Sequence, residues 1–201
     1  MIIDLNPFKF SSVVDLPSHY EVYDFSKSYD PNRKLSSPFG VGKYNEERPG
    51  MYHHQQFSNT RNIHMGIDIG APIGTPIKNF YEGNLLYLAN NKSHGDYGYT
   101  LVIRYNLSLQ GQLKTLYALY GHLSAKSFDN KEIGMVFKKG DILAWVGKKS
   151  ENGGWNPHLH FQLSWIDPLK ADMPGVVSEI EREKALKIYP DPRIVLGNLY
   201  D

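Results

Sequence analysis

Four histidines and one aspartate stand where their types and spacing could support hydrolysis. The stretch "NIHMGIDIG" carries His64 and Asp68, "TLYALYGHLS" carries His122, and "NPHLHFQLSW" carries His158 and His160. Imidazole and carboxylate are ligands that Zn2+ accepts, and a neutral imidazole is also a weak base matched to neutral pH. The chain of 201 residues contains no cysteine, which excludes thiolate zinc sites, disulfides and cysteine nucleophiles together. Any metal here is held by histidine and carboxylate. Spacing leaves the ligand count open. If His64, Asp68, His158 and His160 all bind, the site is closed and structural; if three bind, a water takes the fourth position and is open to activation. Taken singly, each motif is more often an incidental polar pair on a surface strand, so the weight lies in their convergence.

That convergence depends on the elements that carry them. From His158 onward polar and apolar residues alternate, which is the mark of a half-buried strand; both imidazoles then leave one face, opposite Leu159, Phe161 and Leu163. In "NIHMGIDIG" the same rule puts Ile63, Met65, Ile67 and Ile69 on one face and His64, Gly66 and Asp68 on the other. On an extended chain His64 and Asp68 would sit roughly 13 Å apart, too far to share an ion. The strand must therefore bend or bulge at Gly66, which also leaves the space between the two side chains empty. In "TLYALYGHLS" alternation groups Leu116, Ala118, Tyr120 and His122 on one side. Tyr120 is then either a packed tyrosine or a donor to a developing oxyanion.

Across residues 61–165 short alternating runs are broken by glycine, the texture of an all-β sandwich or barrel. The expected architecture is mainly β, a small antiparallel sheet or sandwich forming a groove. An irregular N-terminal arm precedes it over residues 1–60, with a long polar loop over 30–60. A tail over 166–201 carries one short helix over about residues 176–188, stopped by Pro190 and Pro192. Net charge is +1 with both signs scattered, so nothing marks a nucleic-acid or anionic-membrane partner. No stretch approaches the ~20 apolar residues of a membrane span. The opening "MIIDLNPFKFSSVVDLP" has neither the basic start nor the apolar run of a signal peptide. As written the chain reads as cytoplasmic, and as periplasmic or extracellular if trimmed or exported by another route.

In order along the chain, "HMGIDIGAPIGTPI", "LYALYGHLS", "KKGDILAWVG" and "NPHLHFQL" resemble the lysostaphin-type (LytM-domain) zinc metalloendopeptidases, over roughly residues 61–165. The resemblance implies a β-sheet groove walled by loops, one zinc ion per chain bound by His64, Asp68 and His160, and a peptide or peptidoglycan-stem substrate. It also implies that His158 is not a ligand but, with His122, faces the attacking water and the scissile carbonyl. A histidine near ~6.5 suits that work, because the water to be deprotonated has a pKa near 7 when activated. Unprotonated ligands further imply a zinc affinity that weakens below about pH 6. The chain departs from the usual pattern at "ENGGWNP", where a Thr-Gly stretch is more common, and at Gln162, where Glu is frequent. These departures bear on substrate, and the Gly-Gly-Trp-Asn-Pro lead-in is where specificity is expected.

Two readings compete with a peptidase of the cell wall: a non-catalytic zinc- or peptide-binding module on the same scaffold, and a cytoplasmic hydrolase of a small peptide or metabolite. "EGNLLYLA" and "KKGDILAWVG" also resemble the hairpins of lipoyl- or biotin-carrier domains, but no lysine occupies a tight hairpin tip. Among the other histidines, His53 and His54 belong to a solvated loop or plug the groove mouth, His94 to a turn, and His19 to no pattern. Trp155 is either a cleft wall or a packed side chain, and Gly140-Asp141 marks a tight turn.

Overall fold

The computed structural model describes residues 8–27, 30, 36–52, 60–109 and 111–201; His53 and His54 lie outside them. Twelve strands are described: β1 (Glu21–Val22), β2 (Gly40–Gly42), β3 (Arg61–His64), β4 (Ile67–Gly70), β5 (Pro76–Lys78), β6 (Gly83–Asn91), β7 (Gly98–Leu109), β8 (Gln112–Leu123), β9 (Val136–Phe137), β10 (Ile142–Trp145), β11 (His158–Ser164) and β12 (Val176–Ser178). Two helices follow, α1 (Glu179–Ile188) and α2 (Arg193–Leu196). Eight strands form one sheet in the order β1-β2-β4-β11-β8-β7-β6-β9, and β10-β5 and β12-β3 make two-stranded ribbons. The mainly β architecture expected from the alternating runs is the one observed.

The sheet's two faces have different tasks. Apolar residues of β4, β8 and β11, among them Ile67, Tyr120 and Phe161, pack with Ile77 of β5 and Leu143 of β10 in the main core. Val13 and Val14 from the N-terminal segment and Val195 from α2 join the same cluster, so it draws on both ends of the chain. Each such side chain fully buried contributes roughly 1.5–3 kcal/mol. The opposite face carries the polar residues of β4 and β11 and a smaller cluster of Tyr97, Val102, Leu119, Ala171 and Met173.

The stretch 63–69 does break at Met65-Gly66, between β3 and β4, and its apolar residues divide accordingly. Ile67 and Ile69 face the main core, while Ile63 and Met65 pack with Val177 and Ala185 below α1. The helix expected over 176–188 ends at Ile188 but begins three residues later than expected, because Val176–Ser178 pairs with β3, with Val176 opposite His64. Two adjacent β-branched valines suit a strand, and β3 needs a partner once it has left the main sheet. Ser178 caps the helix that starts at Glu179, its backbone N–H donating to the Glu181 carboxylate at 3.1 Å.

Candidate metal centre and cleft

β4 and β11 are antiparallel neighbours with Asp68 opposite His160. The break before β4 turns His64 back onto the same spot: His64 Nε2 lies 3.2 Å from Asp68 Oδ1. His160 Nδ1 lies 3.0 Å from His64 Nε2 and 3.0 Å from Asp68 Oδ1. The three side chains are buried, with relative exposures of 1%, 8% and 3% for His64, Asp68 and His160. The space above Gly66 is not empty as expected; the His160 ring fills it, and a Cβ on Gly66 would meet that ring at 2.6 Å.

The hydrogen-bond network assigns the protons. His64 Nδ1 faces the Lys43 carbonyl at 2.9 Å, so Nδ1–H donates and Nε2 presents a lone pair. His160 Nε2 faces Gln162 Oε1 at 3.0 Å, and the Gln162 amide donates to Pro174 O at 3.2 Å, which fixes its orientation. His160 therefore donates from Nε2 and presents a lone pair at Nδ1. Two bare imidazole nitrogens and a carboxylate oxygen thus converge with no donor among them. Ligand atoms around a tetrahedral ion with bonds of ~2.0–2.1 Å stand ~3.3 Å apart, close to the separations here. The donor set of two nitrogens and one oxygen suits zinc.

The electrostatics favour the same state. Burial, reinforced by Arg48, pushes His64 down to about 4, so it stays neutral. Burial alone would raise the Asp68 carboxyl, but the positive charge beside it, Arg48 among the causes, holds it well below the usual carboxylate range. Asp68 Oδ2 accepts from Arg48 Nη1 at 2.7 Å.

His158 stands at the edge of this group, with Nε2 3.8 Å from Asp68 Oδ1. Its Nδ1–H donates to Asn156 O at 2.6 Å. His122 donates from Nδ1 to Asn152 O at 2.8 Å, and its ring centroid lies 4.2 Å from that of His158. Both imidazoles therefore keep Nε2 as proton acceptor. Burial lowers both pKa values, and for His122 the neighbouring His158 and His160 lower it further.

His122 reaches this face by a device that alternation does not reveal. β7 and β8 shift register so that Tyr99 pairs with Leu123 but Leu101 pairs with Tyr120, a bulge at Gly121-His122. His122 adopts a left-handed backbone, φ 64°, and its side chain turns to the cleft. Tyr120 is consequently not its face neighbour: it points into the main core and its hydroxyl pairs with that of Tyr105 at 2.7 Å. Of the two readings the sequence leaves open for Tyr120, the packed tyrosine is the one observed. The tyrosine beside the site is Tyr97, whose ring centroid lies 5.5 Å from that of His122 and 5.0 Å from that of His160.

The lead-in "NGGWNP" is a scaffold for these histidines. Asn152 is fully buried, its side-chain oxygen accepts from Gly154 N and Trp155 N, and its carbonyl holds His122. Gly153 has φ 84°, and a side chain there would run into the Asp96 carbonyl. Trp155 does line the cleft, edge-on to Tyr52 at 6.0 Å between centroids. The cleft encloses about 460 Å³, and its far walls include Met51, Ile166, Met173 and Tyr189. His94 lies in the turn after β6 with its ring over Gly154, and His19 is exposed. No helix of the described residues is long and apolar enough to cross a membrane.

Sequence reasoning missed Arg48, Glu46, Tyr97 and the role of Asn152. Glu46 and Arg48, two apart like the H-x-H pair, were the one legible signal among them.

The family model "Peptidase family M23" matches residues 62–185, more than half of the chain. A protein of Neisseria meningitidis serogroup B named "DD-carboxypeptidase/endopeptidase Mpg" is 29% identical over 145 residues, 70% of this chain and 27% of that protein; the Neisseria gonorrhoeae protein of the same name matches equally. The chain thus spans 27% of the length of these curated relatives. Among solved structures, the catalytic domain of the prophage-encoded M23 protein EnpA from Enterococcus faecalis aligns with 27% identity and a TM-score of 0.48, over 72% of this chain and 92% of that one. The catalytic domain of lysostaphin from Staphylococcus simulans aligns with 23% identity and a TM-score of 0.46, over 73% and 92% of the two chains.

Proposed function

The chain belongs to peptidase family M23, and from that premise we propose that it is a zinc-dependent endopeptidase cleaving a peptide bond of a peptidoglycan stem or a related peptide. The observation that carries this is the convergence of His64 Nε2, His160 Nδ1 and Asp68 Oδ1 at 3.0–3.2 Å with lone pairs facing inward. Three acceptors with no donor form a cation site, not a hydrogen-bond network. Zinc bound there supplies a Lewis acid that polarises a carbonyl and acidifies a water.

The chain's own groups supply the proton traffic. His158 Nε2, beside Asp68 Oδ1, accepts the proton of the water that adds to the scissile carbonyl carbon. Burial and the 4.2 Å separation of the two rings restrict the His122–His158 pair to one proton beyond the Nδ1–H that each already carries. The ring that takes it becomes a donor to the carbonyl oxygen, and that proton then passes to the amine as the C–N bond breaks. The pair shares the base and oxyanion roles. The cleft volume, about 460 Å³, matches a short peptide segment. The name of the Neisseria relatives, "DD-carboxypeptidase/endopeptidase", supports a cross-link or stem peptide as substrate class.

Zinc-loaded protein incubated with purified cell wall and with a panel of small peptides, products read by mass spectrometry, tests this reading. New termini from the wall, lost on chelation and restored by zinc, are the expected outcome. Zinc and peptide bound without cleavage would instead identify a non-catalytic module. Cleavage confined to small peptides would point to a metabolic hydrolase.

A further inference from the structure

We infer that Arg48 is a positioning residue of the metal centre: it holds Asp68 to ligation through Oδ1 alone, from a segment ahead of the matched family region. This rests on the metal-site reading of His64, Asp68 and His160. The backbone at residues 45–48 runs alongside β3: Asn45 N donates to His64 O at 2.7 Å, His64 N to Glu46 O at 3.0 Å, and Arg48 N to Asn62 O at 2.8 Å. Alternation along this segment turns Glu46 and Arg48 inward, at 7% and 0% exposure, and Glu47 outward.

The buried guanidinium is used on every side. Nη1 donates to Asp68 Oδ2 at 2.7 Å and to the Tyr52 hydroxyl at 3.1 Å; Nε donates to Glu46 Oε2 at 2.9 Å; Nη2 donates to Lys43 O at 3.2 Å. Its carbon lies 4.9 Å from the Phe25 ring centroid. The Lys43 carbonyl also accepts His64 Nδ1–H at 2.9 Å, so one oxygen links Arg48 to a second proposed ligand. A carboxylate with both oxygens free can rotate or bind a cation through both. With Oδ2 held at 2.7 Å, only Oδ1 is offered to the site.

A buried ion pair is weak evidence of stabilisation, because apolar residues of similar volume often serve as well. Its position under a ligand therefore points to geometry. A fork that reaches Glu46, Asp68 and Lys43 O at once is also beyond a lysine ammonium on its single axis. Glu46 balances the Arg48 charge, leaving the charge of the proposed ligands as it would be without the pair.

The test uses the full chain loaded with Co2+, whose visible absorption reports coordination number, with affinities from chelator competition and thermal unfolding of the metal-free proteins in parallel. The variants are Arg48→Lys and the charge-neutral double variant Glu46→Gln/Arg48→Met. The double variant is expected to bind metal about 10–100-fold more weakly. Its cobalt spectrum should become weaker, as for a five-coordinate ion bound by both Asp68 oxygens. Arg48→Lys should recover unfolding temperature without recovering the wild-type spectrum. Wild-type affinity and spectrum in a folded Arg48→Lys protein would overturn the inference, leaving Arg48 purely structural and the metal reading intact. A wild-type chain that takes up neither cobalt nor zinc would overturn the metal reading itself.

Discussion

Two imidazoles with centroids 4.2 Å apart in a desolvated wall cannot both take a second proton, and this constraint organises the proposed chemistry. The distinction between His158 and His160 follows from the other nitrogen of each ring: His160 donates from Nε2 to Gln162 and turns Nδ1 inward, whereas His158 donates from Nδ1 to Asn156 O. His160→Ala is expected to abolish stoichiometric zinc, measured by elemental analysis, while His158→Ala keeps about one zinc per chain and loses roughly 10²–10⁴-fold in turnover. Equal metal loss in both would indicate a closed four-ligand site. The same burial has a consequence for stability. His64 titrates near 4 when folded and near 6.5 when unfolded, so between those values the unfolded chain binds more protons. Stability from burying neutral His64 is complete above about pH 6.5 and is lost as pH falls toward 4, and His122, whose pKa burial also lowers, acts in the same sense. Urea midpoints of metal-free protein should therefore fall between pH 7 and pH 5; a flat profile would contradict buried neutral histidines. The onset of proton competition at His64 also moves below the pH 6 expected from unshifted imidazole.

At the scale of elements, three backbone departures from regular strand build the site. The break at Gly66 folds His64 over Asp68, and the His160 ring occupies the gap. Gly66→Ala, with a methyl 2.6–2.8 Å from that ring and from the Phe161 carbonyl, should lower zinc affinity by at least about tenfold in chelator competition. The bulge brings His122 into the cleft, and the loop 152–157 presents carbonyls to both His122 and His158. Gly153→Ala forces a side chain at φ 84° against the Asp96 backbone. Turnover should fall while zinc content holds; loss of both together would show that the loop supports the metal as well. Period-two reasoning located β11 and the need for a bend at Gly66, since those follow from side-chain alternation and reach. It put His122 on the face of Tyr120, because the bulge at Gly121-His122 turns the histidine to the other face and strict alternation carries no record of an inserted residue.

For the whole molecule, the main core joins Val13, Val14 and Val41 to the sheet and to Val195 near the C-terminus. Those three N-terminal valines alone contribute roughly 5–9 kcal/mol of burial, comparable to the entire net stability of a domain. A chain starting at residue 49, which also lacks Arg48, is therefore expected to lose cooperative thermal unfolding and metal uptake together; a sharp transition near the full-length midpoint would show that residues 49–201 fold alone. The sequence by itself determined the β texture, the absence of thiolate chemistry, the bend at Gly66 and which histidines and aspartate to watch, because these depend on residue type and on contacts within a few positions. Tertiary structure alone decided which imidazole nitrogen faces inward, that Tyr97 and not Tyr120 stands beside the histidines, that "NGGWNP" supports His122 and His158, and that Arg48 lies under Asp68. Each of those is set by a partner brought near by folding, such as Lys43 O for His64 or Asn152 O for His122, and local periodicity carries no information about such partners.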